Sequence, residues 1–106
     1  MTWDEMITKL RKRGVREDNL PVRGHDEGNL GLRHENGRFI VSITERGRID
    51  DIADFPSEES AVDFMYDRHV INFRLDGDTR FDEWNANPKA FPLPRAEDFG
   101  GRTLSR

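Results

Sequence analysis

The side chains in this sequence with the greatest potential for chemistry are three histidines, His25, His34 and His69. A zinc or catalytic site built on histidine needs a defined spacing, such as HExxH on one helical face. None of the three has such a spacing, and His25 stands beside Asp26 and Glu27, where consecutive side chains of an extended segment diverge. We therefore predict no metal site. His25 is expected in a surface loop, and His69 is expected to be a structural residue of a helix.

The other reactive groups also lack a catalytic pattern. The chain has no cysteine, which excludes disulfides, thiolate metal sites and a cysteine nucleophile. No serine lies in a Gly-x-Ser-x-Gly motif, and Asp76-Gly77-Asp78 does not match a calcium loop. Close carboxylate pairs are expected by chance among 21 Asp and Glu residues. We predict that the chain is not an enzyme and binds no cofactor.

Charge is unevenly distributed along the chain, whose net charge is −4. Residues 49–83 contain three Arg against eleven Asp and Glu, a formal charge of −8, whereas both flanking segments are slightly positive. Such a segment repels nucleic-acid phosphates and anionic lipids and favours a basic partner. A basic stretch at residues 9–16 favours nucleic acid, but a pI near 5.4 argues against it. The alternative is that these acids are solvated faces of ordinary secondary structure.

Two helices are predicted from caps and apolar spacing. Thr2 and Glu5 form a capping-box pattern, and the apolar residues that follow at helical spacing predict a helix at about residues 3–13. Ser57 is a good N-cap and is followed by two glutamates that suit the positive end of the helix dipole. A second helix is therefore expected from there to about residue 69.

The centre of the chain predicts an antiparallel meander. Asn36-Gly37 is a strong hairpin signal, and Arg46-Gly47 marks a second turn. Residues 48–54 break strict alternation, which either a β-bulge or a short strand would explain. We predict an α+β fold with a three-stranded antiparallel sheet, with room for a fourth strand, flanked by two main helices. A single domain spans residues 1–87, and residues 88–106 form a Pro- and Gly-containing tail, extended or partly disordered.

One stretch of the chain resembles a known class of proteins. Its parts are Gly37-Arg38-Phe39, the turn Glu45-Arg46-Gly47-Arg48, and the strand-to-helix junction Phe55-Pro56-Ser57-Glu58-Glu59-Ser60-Ala61-Val62-Asp63-Phe64. This arrangement resembles small bacterial immunity proteins encoded beside polymorphic or contact-dependent toxins. The resemblance covers roughly residues 37–66, under a third of the chain. It implies a non-enzymatic cytoplasmic inhibitor that binds the catalytic domain of a cognate toxin and blocks its active site.

These observations predict a monomeric cytoplasmic protein that binds a toxin domain through an acidic surface and binds neither nucleic acid nor membrane. The acidic start of the chain and the lack of a long apolar run predict no signal peptide or membrane span. A regulatory or adaptor domain for another cytosolic protein remains an alternative, as does an unrecognised small-molecule-binding protein or enzyme. Exposed aromatics such as Tyr66 or Trp84 are candidate anchors, and packing in the core is the favoured alternative for Trp84. The residues expected to contact the partner are Asp50, Asp51, Asp54, Glu58, Glu59, Asp63, Tyr66 and Asp67.

Overall fold

The computed structural model describes residues 1–72, 80–87 and 94–104. These residues form a five-stranded sheet in which the strands follow one another in sequence order. The first strand pairs in parallel with the second, and the other neighbours are antiparallel. The strands are β1 (Val22–Arg23), β2 (Leu30–Glu35), β3 (Arg38–Glu45), β4 (Arg48–Phe55) and β5 (Arg102–Thr103).

The described helices are α1 (Trp3–Lys12), α2 (Glu58–Asn72) and the short α3 (Arg80–Ala86). The predicted capping box is present: Glu5 N–H donates to Thr2 Oγ1 and Thr2 N–H donates to Glu5 Oε1, both at 3.1 Å. At the start of α2, Ser60 N–H donates to Ser57 Oγ at 3.2 Å. Each long helix thus begins where a side chain satisfies an otherwise unpaired backbone donor.

Two tight turns set the register of the central strands. Asn36, Gly37, Arg46 and Gly47 all have positive φ angles, between 52° and 76°. Two consecutive residues of this kind form a type I′ turn, whose twist matches that of a hairpin. The turn at Arg46 is further supported by Glu27, whose carboxylate accepts hydrogen bonds from the backbone N–H groups of Arg46 and Gly47.

The predicted β-bulge is present in β4. Val41 pairs with Ala53, but Ser42 pairs with Asp51, which leaves Ile52 as the additional residue. The bulge changes the alternation of side chains, so that Asp51 and Asp54 share one face although they are three positions apart. We call this the arginine face of the sheet, because Arg33, Arg38 and Arg102 also lie on it.

The other face of the sheet, the helix face, is covered by α2. Leu32, Val41, Ala53 and Phe55 lie on it and are buried. The ring of Phe55 lies 5.2 Å from that of Phe64 on α2. The N-terminal helix α1 packs on α2 and contributes two fully buried side chains, Met6 and Leu10. This single core positions both helices on the same side of the sheet.

The α+β fold was predicted, but the sheet is larger and mixed. The prediction missed β1, which has two residues between Pro21 and Gly24, too few to show a periodic pattern. It also missed β5, which lies in the predicted tail and pairs with β4. Of that tail, residues 94–104 form a 3-10 helix (Ala96–Phe99) and β5, and residues 88–93 and 105–106 lie outside the described residues. Within the described ranges, no helix is both long and apolar enough to cross a membrane.

A substitution in β2 tests the close approach of the preceding loop to the sheet. A β-carbon on Gly31 would lie 2.2 Å from the backbone carbonyl oxygen of Gly24. We expect Gly31→Ala to lower the free energy of unfolding by about 3 kcal/mol, because backbone must move. A β-carbon on Gly37 would have no close neighbour, so Gly37→Ala is opposed only by the positive φ angle. It should lower the free energy of unfolding by about 1 kcal/mol. Urea denaturation measures both, and equal losses would contradict this packing.

Candidate interaction surface

Asp51 is neutralised on the arginine face. Arg33 donates to both of its carboxylate oxygens, at 2.6 and 2.8 Å, and also to Glu35 at 2.8 Å. These hydrogen bonds from Arg33 hold the pKa of Asp51 below its ordinary value. The carboxylate therefore presents a paired charge to any approaching partner.

Asp54 is the most enclosed of the predicted site residues on β4. The residue is 4% exposed, and its carboxylate accepts hydrogen bonds from Arg38 at 2.6 Å and from Arg102 at 2.7 Å. The bond from Arg102 is the main cause of its lowered pKa. Asp54 thus joins β3, β4 and β5 and has little surface left for a partner. The predicted contact between Asp54 and a partner would have to form at a carboxylate that is nearly buried and already paired with two arginines.

Asp50 lies on the opposite face from Asp51. It pairs with Ile43 in the ladder, and directly opposed residues share a face of the sheet. Its side chain is 12% exposed and lies 3.1 Å from the guanidinium group of Arg48. The three acids of β4 that were predicted to belong to one acidic surface, Asp50, Asp51 and Asp54, are therefore divided between the two faces of the sheet.

The acids of α2 follow one line along the helix. Glu59, Asp63 and Asp67 are four positions apart, which places them on successive turns of one face. Like charges at this spacing repel one another and weaken a helix. Asp63 is compensated by the amino group of Met1 at 2.6 Å, and this contact is the main cause of the raised pKa of that amino group. Glu58 pairs instead with Arg23 at 2.6 Å.

Carboxylates from the N-terminal turns of α1 and α2 lie around the amino group of Met1 and the guanidinium group of Arg23. Glu5 of α1 and Glu59 of α2 both act electrostatically on the amino group of Met1, and Asp4 acts on Arg23. Asp4 and Glu59 are exposed and form no ion pair with any described residue. We call this set the acidic helix surface; its residues are Asp4, Glu5, Glu58, Glu59 and Asp63.

Tyr66 does not fit the expectation of an exposed aromatic anchor. It is 8% exposed and belongs to the core, and the ammonium group of Lys9 lies 5.8 Å from its ring centroid. Its position is explained by packing between α1 and α2 together with a cation–π contact. The side chain of Trp84, the other predicted anchor, lies outside the described part of the structure.

Comparison of the chain with protein families, with curated proteins and with solved structures found no match. Any function assigned to the chain therefore depends on the geometry of its own residues.

Sequence reasoning missed two members of the acidic helix surface. Glu5 was interpreted only as part of the capping box and Asp4 only as part of the acidic start of the chain, and their shared role depends on the packing of α1 against α2. The arginines that neutralise the acids of β4 were also missed. The sequence did contain a signal for the position of these acids, because a bulge at residues 48–54 changes which face of the sheet Asp51 and Asp54 share.

His69 is buried in the core, as was expected of a structural residue. It is 1% exposed, and burial lowers its pKa to about 4. Among the described residues, no group of three or more His, Asp and Glu side chains is arranged to hold a metal ion.

We expect the stability of the fold to fall between pH 6.5 and pH 4 because of His69. In this range the unfolded chain binds a proton on this imidazole and the folded chain does not, so acid favours unfolding. The loss should approach about 3 kcal/mol at pH 4. Urea denaturation across this range should show it in the wild type and much less in His69→Gln. An NMR titration that gives the wild-type imidazole a pKa near 6.5 would contradict this prediction.

Asp54 should contribute more to stability than Asp51, because it is buried and pairs with two arginines on different strands. We expect Asp54→Asn to lower the free energy of unfolding by about 1–2 kcal/mol. Asp51→Asn should cost less than about 1 kcal/mol, because its pair is part-exposed. Equal effects in urea denaturation would argue against Asp54 as the link between β4 and β5.

Proposed function

We propose that this chain is an immunity protein, a non-enzymatic inhibitor that binds the catalytic domain of a cognate bacterial toxin and blocks it. The acidic helix surface is the observation that carries this proposal. Within the described residues, it sets five carboxylates against three cations, which are Arg23, the amino group of Met1 and Lys9, whose ammonium group acts on Glu5. A surface with this excess of negative charge attracts a basic protein and accelerates their encounter.

The distribution of ion pairs supports the helices, rather than the sheet, as the contact surface. Asp51 and Asp54 already have arginine partners, so a toxin would have to displace Arg33, Arg38 or Arg102 to engage them. Asp4 and Glu59 form no ion pair with another residue of the described ranges, so no such partner has to be displaced there. Since breaking an existing ion pair offsets much of the gain from forming a new one, we propose that α1 and the first turns of α2 make the first contact.

The resemblance of residues 37–66 to immunity proteins supports the same proposal from the sequence. The junction Phe55-Pro56-Ser57 leads directly into Glu58 and Glu59, which belong to the acidic helix surface. The part of the chain that carries the resemblance is thus also a part that presents exposed negative charge.

Coexpression with the product of the adjacent gene tests the proposed function. We expect a stable one-to-one complex, and we expect cells that produce the adjacent protein to survive only when this chain is also produced. Absence of toxicity from the neighbour, or toxicity that this chain does not relieve, would overturn the proposal.

Charge-removing variants test the proposed contact surface. Asp4→Asn combined with Glu59→Gln should slow association with the toxin domain roughly three- to tenfold at low salt, because steering is lost. The difference should shrink at high salt, which screens exposed charges. Stopped-flow kinetics measures the rates. The matched control, Asp4→Glu with Glu59→Asp, keeps both charges and should associate at the wild-type rate; equal slowing of both double variants would exclude a charge effect.

A further inference from the structure

A cavity of about 150 Å³ lies away from the acidic helix surface, at the end of the sheet that carries the β3–β4 turn. Leu30 and Ile43, opposed on β2 and β3, form its apolar wall, and His69 of α2 lines it from the core. A cavity of this volume holds about six non-hydrogen atoms, the size of a benzene ring. The described residues that line it are Asn19, Gly28, Asn29, Leu30, Ile43, Glu45 and His69.

Two side chains that line this cavity, Asn29 and Glu45, offer hydrogen-bond acceptors. Asn29 is 6% exposed, and its Nδ2 donates to the backbone oxygen of Asp18 at 3.1 Å and to Asp26 Oδ2 at 3.3 Å. These two bonds use both amide hydrogens and fix the side chain, so the carbonyl oxygen Oδ1 is its remaining polar group. Glu45 adds an exposed carboxylate that forms no ion pair with a described residue.

The charges around the cavity are predominantly negative. Asp50 lies beside Ile43 on the helix face, and Asp26 supports Asn29. Of the two arginines near the adjacent turn, Arg48 lies 3.1 Å from Asp50 and Arg46 occupies the turn itself. His69 adds no positive charge near neutral pH, because burial keeps its imidazole uncharged. A group that donates several hydrogen bonds and carries a positive charge therefore matches this lining better than an anion does.

We propose that the cavity binds a guanidinium group on a short alkyl chain, such as the end of an arginine side chain. The planar guanidinium carries five N–H donors, which suits a lining that includes the carboxylate of Glu45 and the amide oxygen of Asn29. Its alkyl stem would pack on Leu30 and Ile43. This inference rests on the proposed function in one respect: an arginine of the toxin domain would be the natural source of the group.

A free ligand tests the site independently of any toxin. Ethylguanidinium has the size and charge that the cavity requires, and ethylurea has nearly the same shape without the charge. We expect ethylguanidinium to shift the backbone amide resonances of residues 28–30, 43–45 and 69 in two-dimensional NMR spectra, with a dissociation constant in the millimolar range. Ethylurea should bind at least about tenfold more weakly. Equal binding of the two ligands, or no shifts at these residues, would overturn the inference.

A pair of variants locates the charge that is responsible. Glu45→Gln should weaken ethylguanidinium binding about tenfold, because it removes the carboxylate of a charge-assisted hydrogen bond. The control variant Glu59→Gln, on the acidic helix surface, should leave ethylguanidinium binding unchanged. Both variants replace exposed carboxylates that form no ion pair with a described residue, so both should fold. An equal loss in the two variants would indicate non-specific attraction and overturn the site.

The free ligand and the toxin distinguish the inference from the proposed function. If ethylguanidinium fails to bind but coexpression yields an inhibited complex, the cavity proposal is wrong and the immunity proposal stands. If ethylguanidinium binds but no toxin complex forms, the site takes a free guanidinium compound and the immunity proposal is wrong. If both bind, the arginines of the toxin domain can be replaced one at a time by lysine. The replacement that weakens the complex with the wild-type chain, but not the complex with Glu45→Gln, should identify the arginine that enters the cavity.

Discussion

The ion pairs of Asp54 with Arg38 and Arg102 determine much of what this fold leaves available at its surface. Because Asp54 is almost fully buried, its charge must be balanced inside the protein, and the two guanidinium groups that balance it come from β3 and β5. The same contacts fix the C-terminal strand against β4. Beside them, Arg33 holds Asp51. The sheet therefore uses much of the acidic segment for its own assembly.

Among the residues that the structure describes, exposed carboxylates without an ion pair lie on the helices, at Asp4 and Glu59, and beside the β3–β4 turn, at Glu45. Both regions depend on the packing of α2 across the helix face of the sheet. Its first turns bring Glu59 beside α1, and its later turns bring His69 to the cavity near Leu30 and Ile43. A basic partner would thus meet one attractive surface and one enclosed acceptor site at separate places on the same scaffold.

Local features of the sequence predicted the elements well. The capping box of Thr2 and Glu5, the cap at Ser57 and the turn at Asn36-Gly37 are short-range interactions, so their signals are complete within a few residues. The bulge was also visible, because Ile49 and Ile52 break the alternation of their strand. By contrast, β1 and β5 have two residues each, and their pairing depends on contacts with residues far away in sequence.

The candidate surface could be predicted only in part, and for the same physical reason. Counting charges along the chain identified the acidic segment but gave no information on how the acids are paired. The decisive partners are distant: 18 positions separate Arg33 from Asp51, 35 separate Arg23 from Glu58, and 48 separate Arg102 from Asp54. The same limit explains why Tyr66 was expected at the surface, since its burial depends on how α1 crosses α2.

Hydrogen–deuterium exchange of the chain, alone and in complex with the proposed toxin partner, tests most directly whether the helices form the contact surface. We expect slower exchange on binding in residues 1–12 and in the first turns of α2. We expect little change in the strand residues 33–42 and 51–54, whose charges are paired within the sheet. Protection confined to those strand residues, with the helices unchanged, would contradict a contact surface on the helices.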